Sequence, residues 1–254
     1  MTFSIIGQCE RTGAFGAAIT TSDLAVGSRC ARLAHGKGAI LSQHRTDSRL
    51  GDLGIALLQK GINAADTVRQ VVASSTDIEW RQIGVLDARG QTAVYHGRKM
   101  YSIHAHTAES GCLALGNILD NDQVTAAMAA AFQADHKLPL AEKLLRALEA
   151  GYEAGGEVAG RLRSAALQVT GEHDIPSYDL RIDISAGRAV EDLRGLFEAY
   201  KGREETLRDV ALAPDKVPVQ AGLFEASIRR IEELGLSDRF PTAKNRDLWT
   251  VSGQ

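Results

Sequence analysis

The sequence predicts an α+β protein built as a four-layer αββα sandwich, two stacked antiparallel sheets flanked by helices, with a short C-terminal helical appendage. Three observations predict it. Strands and helices arrive in pairs, hairpin then helical hairpin, and the pattern recurs, whereas a doubly wound parallel sheet would alternate them singly. Several strands are apolar on both faces, as in Ala17-Ala18-Ile19 and Ala165-Ala166-Leu167, so antiparallel sheets must be covered on both sides. Glycine is abundant, 25 residues against 5 prolines, which suits tight turns and closely packed sheets.

Each element follows from its local pattern. Phe3–Ile6 and Phe15–Thr20 read as strands around a turn at Glu10–Gly13, and Ala39–Ser42 as a strand after the Gly36-Lys37-Gly38 turn. Leu50, Leu53, Leu57 and Leu58 fall at helical spacing, and Gly61 stops that helix. A second helix opens at Asn63, an N-cap with Asp66 three residues on, and turns Ala65, Val68, Val71 and Val72 inward. Gln82–Leu86 and Thr92–Tyr95 flank the turn Asp87-Ala88-Arg89-Gly90 as a β-hairpin. Cys112–Leu115 reads as a strand. A helix pair then runs through Val124, Ala127, Ala131 and Phe132, and through Leu140, Leu144, Leu145, Leu148 and Tyr152, stopped by Gly155-Gly156. Ala165–Val169 and Leu180–Ile184 are further strands, and a helix with Val190, Leu193, Phe197 and Tyr200 closes the body. Residues 1–202 therefore form one sandwich domain. Residues 203–254 are more polar, hold three of the five prolines, and carry one amphipathic helix through Leu223, Phe224, Ile228, Ile231 and Leu234, ended by Gly235. This appendage is expected to pack on the body or on a neighbouring subunit, the latter making a homo-oligomer.

Composition excludes several function classes. A net charge of −3 and a pI near 6.2 argue against a nucleic-acid partner. No apolar run approaches the roughly 20 residues that span a bilayer, and MTFSIIGQCE lacks the basic start and apolar stretch of a signal peptide. Three widely spaced cysteines, Cys9, Cys30 and Cys112, make neither a disulfide framework nor a zinc knuckle, so a reducing cytoplasm is expected. Gly36-Lys37-Gly38 lacks the later residues of a dinucleotide fingerprint or a phosphate loop. The partner expected is a small-molecule substrate, with no cofactor.

Thr2 is the position with the most suggestive chemistry. Its small side chain permits removal of Met1, which would leave a free α-amine beside a hydroxyl at the start of an apolar strand. An α-amine titrates near roughly 7.7–8.0 and can accept the Oγ proton at neutral pH. Strand alternation puts Thr2, Ser4 and Ile6 on one face and Phe3 and Ile5 on the other. The rival chemistry lies in His104-Ala105-His106, whose rings share one face if the segment is a strand, with Glu109 and His96 near: a metal-assisted hydrolase. Neither an HExxH nor a CxxC pattern accompanies it, and no metal is expected. Cys112, just before Gly116, is a further nucleophile candidate, against burial as a small apolar side chain.

Several blocks resemble the DUF1028 family: Met1-Thr2-Phe3-Ser4-Ile5-Ile6, Leu24-Ala25-Val26-Gly27-Ser28, Arg81-Gln82-Ile83-Gly84-Val85-Leu86-Asp87 and Gly116-Asn117-Ile118-Leu119. The match continues through Pro139–Leu145, Leu148–Gly151, Ala154–Gly156, Ser164–Leu167 and Asp179–Asp183, covering roughly residues 1–200 in order. That resemblance implies the N-terminal-nucleophile (Ntn) hydrolase superfamily, with an αββα sandwich and Thr2 as nucleophile, but no particular substrate. Its Gly-Asn motif falls on Gly116 and Asn117. Asn117 then either stabilises an oxyanion, with glycine letting the backbone come close, or caps the helix that follows. Gln43 stands where the family has Gln, to bond a substrate or a buried backbone group, and His44 beside it is a second cleft candidate. Arg81 either clamps a substrate carboxylate or makes a surface pair, and His106 matches a family histidine that would face substrate. Thr2, Asp23 and Lys37 are similar in spacing to a proteasome-like nucleophile with Asp and Lys support; Asp23 and Lys37 depart from the DUF1028 pattern. The function expected is cleavage of a non-peptide C–N amide bond in a small metabolite. The alternative is a non-catalytic ligand-binding or scaffold protein that kept the sandwich.

Overall fold

The computed structural model describes residues 2–158, 160–217 and 221–241. The protein is a mixed α+β chain with two antiparallel sheets and, among the described residues, seven α-helices. Strands β1 (Thr2–Cys9), β2 (Ala14–Thr21), β3 (Ala31–Ala34) and β4 (Gly38–Gln43) come first, then helices α1 (Ser48–Gln59) and α2 (Ala64–Ala73). Four strands follow: β5 (Gln82–Asp87), β6 (Thr92–His96), β7 (His104–Glu109) and β8 (Cys112–Asn117). Then come α3 (Val124–Gln133), α4 (Leu140–Glu153), β9 (Ser164–Val169), β10 (Tyr178–Ile182) and α5 (Ala189–Tyr200). The chain ends in α6 (Glu204–Leu212) and α7 (Ala221–Glu233).

The larger sheet has the order β10-β9-β2-β1-β8-β7 and the smaller β3-β4-β5-β6. Alternation along β1 divides its side chains as expected. Ile6 joins Leu41, Leu86, Leu113 and Leu115 in an apolar cluster shared by the two sheets. Phe3, on the opposite face, lies against Gly151 of α4. On the smaller sheet, Ile40, Ile83 and Val85 pack with Leu50, Leu57 and Leu58 of α1 and Val68 and Val71 of α2. The Asn63 cap forms, its side chain accepting the Asp66 N–H at 2.9 Å.

Four expectations need correction. Strand β3 was not foreseen: Ala31–Ala34 is too short and mixed to show a period, and it exists because β4 offers its ladder to it. Helix α2 buries Ala64 and Thr67 rather than Ala65, since the cap at Asn63 sets the phase of the first turn. Strand β10 stops at Ile182, and Ile184 is exposed. Among its described residues the region 203–254 carries two α-helices, not one. By contacts the chain divides into units 1–199 and 200–254, so the boundary falls at the end of α5. In the second unit Ile228 is buried whereas Phe224 and Leu234 are exposed; the side chain of Leu223 lies outside the described residues.

Asp87 ties a turn to a helix. Buried at the end of β5, its carboxylate accepts the N–H groups of Arg89 (2.9 Å) and Gln91 (3.1 Å) in the β5–β6 turn, and that of Ala64 (2.9 Å) at the start of α2. It thereby satisfies an otherwise orphaned helix donor and meets the positive end of the helix dipole. Asp87→Ala leaves three N–H groups without their acceptor and should cost at least about 2 kcal/mol in urea unfolding, with Asp87→Asn recovering part of it.

Candidate functional site

At one end of the space between the sheets the apolar cluster gives way to two facing polar rows. The first runs across the larger sheet. Phe3 stands opposite Thr20, which brings Thr2 beside Thr21, and the Thr2 hydroxyl donates to the Thr21 hydroxyl at 3.4 Å. On its other side Thr2 pairs with Asn117, and Asn117 pairs with His104. Directly opposed residues of antiparallel strands share a face, so Thr21, Thr2, Asn117 and His104 form one line. The second row crosses the smaller sheet, where Gln43 stands opposite Gln82 and Gln82 opposite His96.

Hydrogen bonds join the rows. Ser4 Oγ, one step inward from Thr2 on the same face, donates to Gln43 Oε1 at 2.8 Å. Gln43 Nε2 donates to Gln82 Oε1 at 2.6 Å, and Asn117 Nδ2 donates to the same oxygen at 2.9 Å. Gln82 Nε2 donates to the Gly116 carbonyl at 2.8 Å and lies 3.1 Å from His96 Nδ1. With its oxygen accepting two bonds and its nitrogen giving two, Gln82 uses its whole amide capacity. The pattern also fixes the tautomer of His96: Nδ1 accepts, and Nε2–H donates to His106 Nδ1 at 2.9 Å. Ser4, Gln43, Gln82 and Asn117 have no exposed surface, and Thr2 is 6% exposed.

The histidines close the side of the site where β6 and β7 are the sheet edges. The His96 ring lies 5.0 Å from that of His104 and 5.1 Å from that of His106. Burial, and then the neighbouring His106 and His104, hold His96 down at about 4, so it is neutral at pH 7. The three rings bond and stack with one another rather than converge on a point. Among the described residues no group of three His, Cys, Asp or Glu side chains is arranged to hold a metal ion.

The positions expected from the sequence fall into two groups. Thr2, Gly116, Asn117 and Gln43 lie in the cluster, and His106 on its rim. Asn117 is not a helix cap: it ends β8, and the residue capping α3 is Gln123. One of its N–H groups is committed to Gln82, and its buried Oδ1 is unpartnered. Gly116 is required by packing, since a Cβ there would meet the Leu119 side chain at 2.6 Å. Gln43 is internal rather than substrate-facing, because both ends of its amide are taken by Ser4 and Gln82. His44 adopts a left-handed backbone (φ 57°), and its Nδ1 lies 2.6 Å from the Trp80 carbonyl. Arg81 is partly buried beside Gln82, with Nε lacking a partner. Three expected residues stand elsewhere. Lys37 sits exposed in the β3–β4 turn, at the opposite end of β4 from Gln43. The Asp23 carboxylate is exposed and paired with Arg29 at 3.2 Å. Cys112 begins β8 at the far end from Asn117, and burial pushes its thiol up to about 11.

Sequence reasoning missed Thr21 and Gln82 as members of the site, and placed His96 only as a neighbour of His104 and His106. Gln82 had a signal, as the polar start of an otherwise apolar strand; Thr21 and His96 are identified only by register. A groove of about 400 Å³ elsewhere, flanked by β3 and β10 and lined by Arg32, His35, Gln168, Asp179 and Arg181 among others, includes none of the cluster.

Residues 2–193 match the family model described as "Family of unknown function (DUF1028)". The solved structures include a crystal structure of protein SPO2555 from Silicibacter pomeroyi, titled as a DUF1028 family-model member. It is 30% identical with a TM-score of 0.74, over 81% of this chain and 89% of that one. No curated protein matches.

Two outcomes test the network. Gln82→Leu removes the hub while keeping its bulk, leaving Gln43, Asn117 and the Gly116 carbonyl unsatisfied; it should lower stability by about 3 kcal/mol or more in urea unfolding. His96, held below its ordinary 6.5, contributes stability that is present above pH 6.5 and lost as pH falls through about 4. His96→Gln should therefore flatten the decline in stability across that interval, measured by urea midpoints at successive pH values.

Proposed function

The chain belongs to the DUF1028 family, and from that premise and the geometry around Thr2 we propose that it is an Ntn-type amide hydrolase with an αββα sandwich, cleaving a non-peptide C–N bond of a small metabolite. The observation that carries this reading is the row Thr21–Thr2–Asn117–His104. It sets a hydroxyl at the first position of a strand, directly across from a buried amide at the end of the inter-sheet space.

Removal of Met1 would expose the Thr2 α-amine as the base. Thr2 Oγ then attacks the substrate carbonyl, and its proton passes to that amine. The N–H of Asn117 not used by Gln82 stabilises the oxyanion. As the C–N bond breaks, the ammonium returns the proton to the leaving nitrogen, and water hydrolyses the remaining ester. Arg81, with Nε unpaired beside Gln82, suits a carboxylate on the substrate, and His106 stands at the exposed rim.

One observation favours a second reading, a non-catalytic scaffold or ligand-binding protein. Gln43 and Gln82 satisfy each other inside the protein and need no ligand to be stable. Intact mass and N-terminal sequencing of the native protein, with labelling by a β-lactone, separate the two. The hydrolase reading expects loss of Met1, one covalent adduct on Thr2, and no adduct on a folded Thr2→Ala variant. Quantitative retention of Met1, or unchanged labelling of Thr2→Ala, would establish the scaffold reading instead.

A further inference from the structure

Glu157 is a buried carboxyl that the reaction above does not use. It is 2% exposed, and neither of its oxygens has a hydrogen-bond partner among the described residues. Burial pushes it up to about 7, and Ser22 beside it opposes the rise. A lone carboxyl in such surroundings costs free energy, and its location gives it a purpose.

Register places it. Thr2 lies beside Thr21 on β2 and opposite Asn117 on β8. Just past those partners, Ser22 follows the end of β2 and Ile118 follows the end of β8. Glu157 meets both. Ser22 is the residue that acts on its carboxyl. Its backbone forms a bridge with Leu119, flanked by Val158 N–H donating to the Ile118 carbonyl at 3.3 Å and Asp120 N–H donating to the Gly156 carbonyl at 3.2 Å. The segment that carries Glu157 thus pairs with the chain just beyond Asn117, the strand partner of Thr2. Other charged side chains on the surrounding segments, those of Asp23, Asp120, Arg161 and Arg163, are exposed.

We propose that Glu157 is the positioning residue of the Thr2 α-amine, its carboxylate being the counter-charge for the ammonium that forms when the amine takes the Oγ proton. The proposal rests on the hydrolase reading. In the attack step the Oγ–C bond forms, the carbonyl π pair moves to oxygen, and the proton crosses from Oγ to the amine. Glu157 gains and loses no proton; it holds the new positive charge and orients the N–H that later protonates the leaving nitrogen, as a buried aspartate serves a catalytic histidine. The ammonium in turn favours the ionised form of Glu157.

The test uses a chain beginning at Thr2, released from a cleavable N-terminal fusion, with its α-amine dimethylated by ¹³C-formaldehyde and titrated by NMR. In Glu157→Gln the amine should titrate about one pH unit lower than in the wild type, a tenfold loss of proton affinity. Glu157→Asp, which keeps the charge, should fall between them. Identical titration in wild type and Glu157→Gln, both with native chemical-shift dispersion, would overturn the assignment. β-Lactone labelling of the same chains before methylation separates the two ideas. A shifted titration without labelling at Thr2 leaves the pairing standing and removes the hydrolase; labelling with an unshifted titration does the reverse.

Discussion

The amide of Gln82 is the constraint on which the rest of the site depends. An unpaired amide buried between two sheets costs several kcal/mol relative to water, so a buried Gln is tolerated only where four partners converge. Here they come from both sheets: Gln43 and His96 from the smaller, Asn117 and the Gly116 carbonyl from the larger. Slipping either sheet by one residue would turn its partners to the opposite face and leave the hub bare. The network therefore fixes the register of β8 against β5 across the interface. Because Thr2 is paired to Asn117, it fixes where the first hydroxyl of β1 stands.

The same convergence explains how much of the molecule could be read from its sequence. Elements governed by local rules were legible: the Asn63 cap, the β5–β6 turn, the glycine stop at 155–156, and the alternation that sends Ser4 and Ile6 to one face and Phe3 to the other. Apart from Thr2 and the histidines, the residues of the site were legible only as members of a resemblance. Nothing local distinguishes Gln43 as an internal link from Gln43 as a ligand for substrate, because that depends on Gln82, which lies 39 residues on. Lys37 shows the converse. Its spacing from Thr2 suited a supporting role, yet β4 runs away from the site in the amino-terminal direction, and the length of that strand separates Lys37 from Gln43. Spacing puts His104 and His106 on one face, but not the contact of their rings with His96, which belongs to the other sheet.

The groove flanked by β3 and β10 is open to solvent, but chemistry directs attention elsewhere. The side chains lining that groove include Arg32, already held by Asp52 at 2.5 Å, and Arg181, held by Asp183 at 3.0 Å. Exposed pairs of this kind are worth little and are screened by salt. The Thr2 end offers the opposite: buried polar atoms without a hydrogen-bond partner, on Asn117, Arg81 and Glu157. Buried unpaired groups are expensive and rare in native proteins, and their concentration around one strand end marks it more sharply than a cavity does.

The placement of Glu157 follows from the way α4 ends. Gly151 and Gly156 both lie against the ring of Phe3, at 3.2 and 3.3 Å from their would-be Cβ positions, so the helix end packs close over the amino-terminal residues of β1. The chain must then reverse at once to reach β9. Gly155 and Gly156 do this with φ of 120° and 59°, left-handed values that a residue with a Cβ adopts only at a cost. A turn made this tightly leaves the next residue no route to solvent, and Glu157 is driven into the bridge with Leu119. The glycine pair that reads in the sequence as a helix stop is thus also what delivers a carboxyl to the amino end of Thr2. A longer, more relaxed connection would let that side chain turn outward and recover its hydration. Burial of the charge is consequently a product of the turn geometry, and the turn is held in place by the packing of Phe3. The strand that carries Thr2 and the segment that carries Glu157 are fixed by one contact.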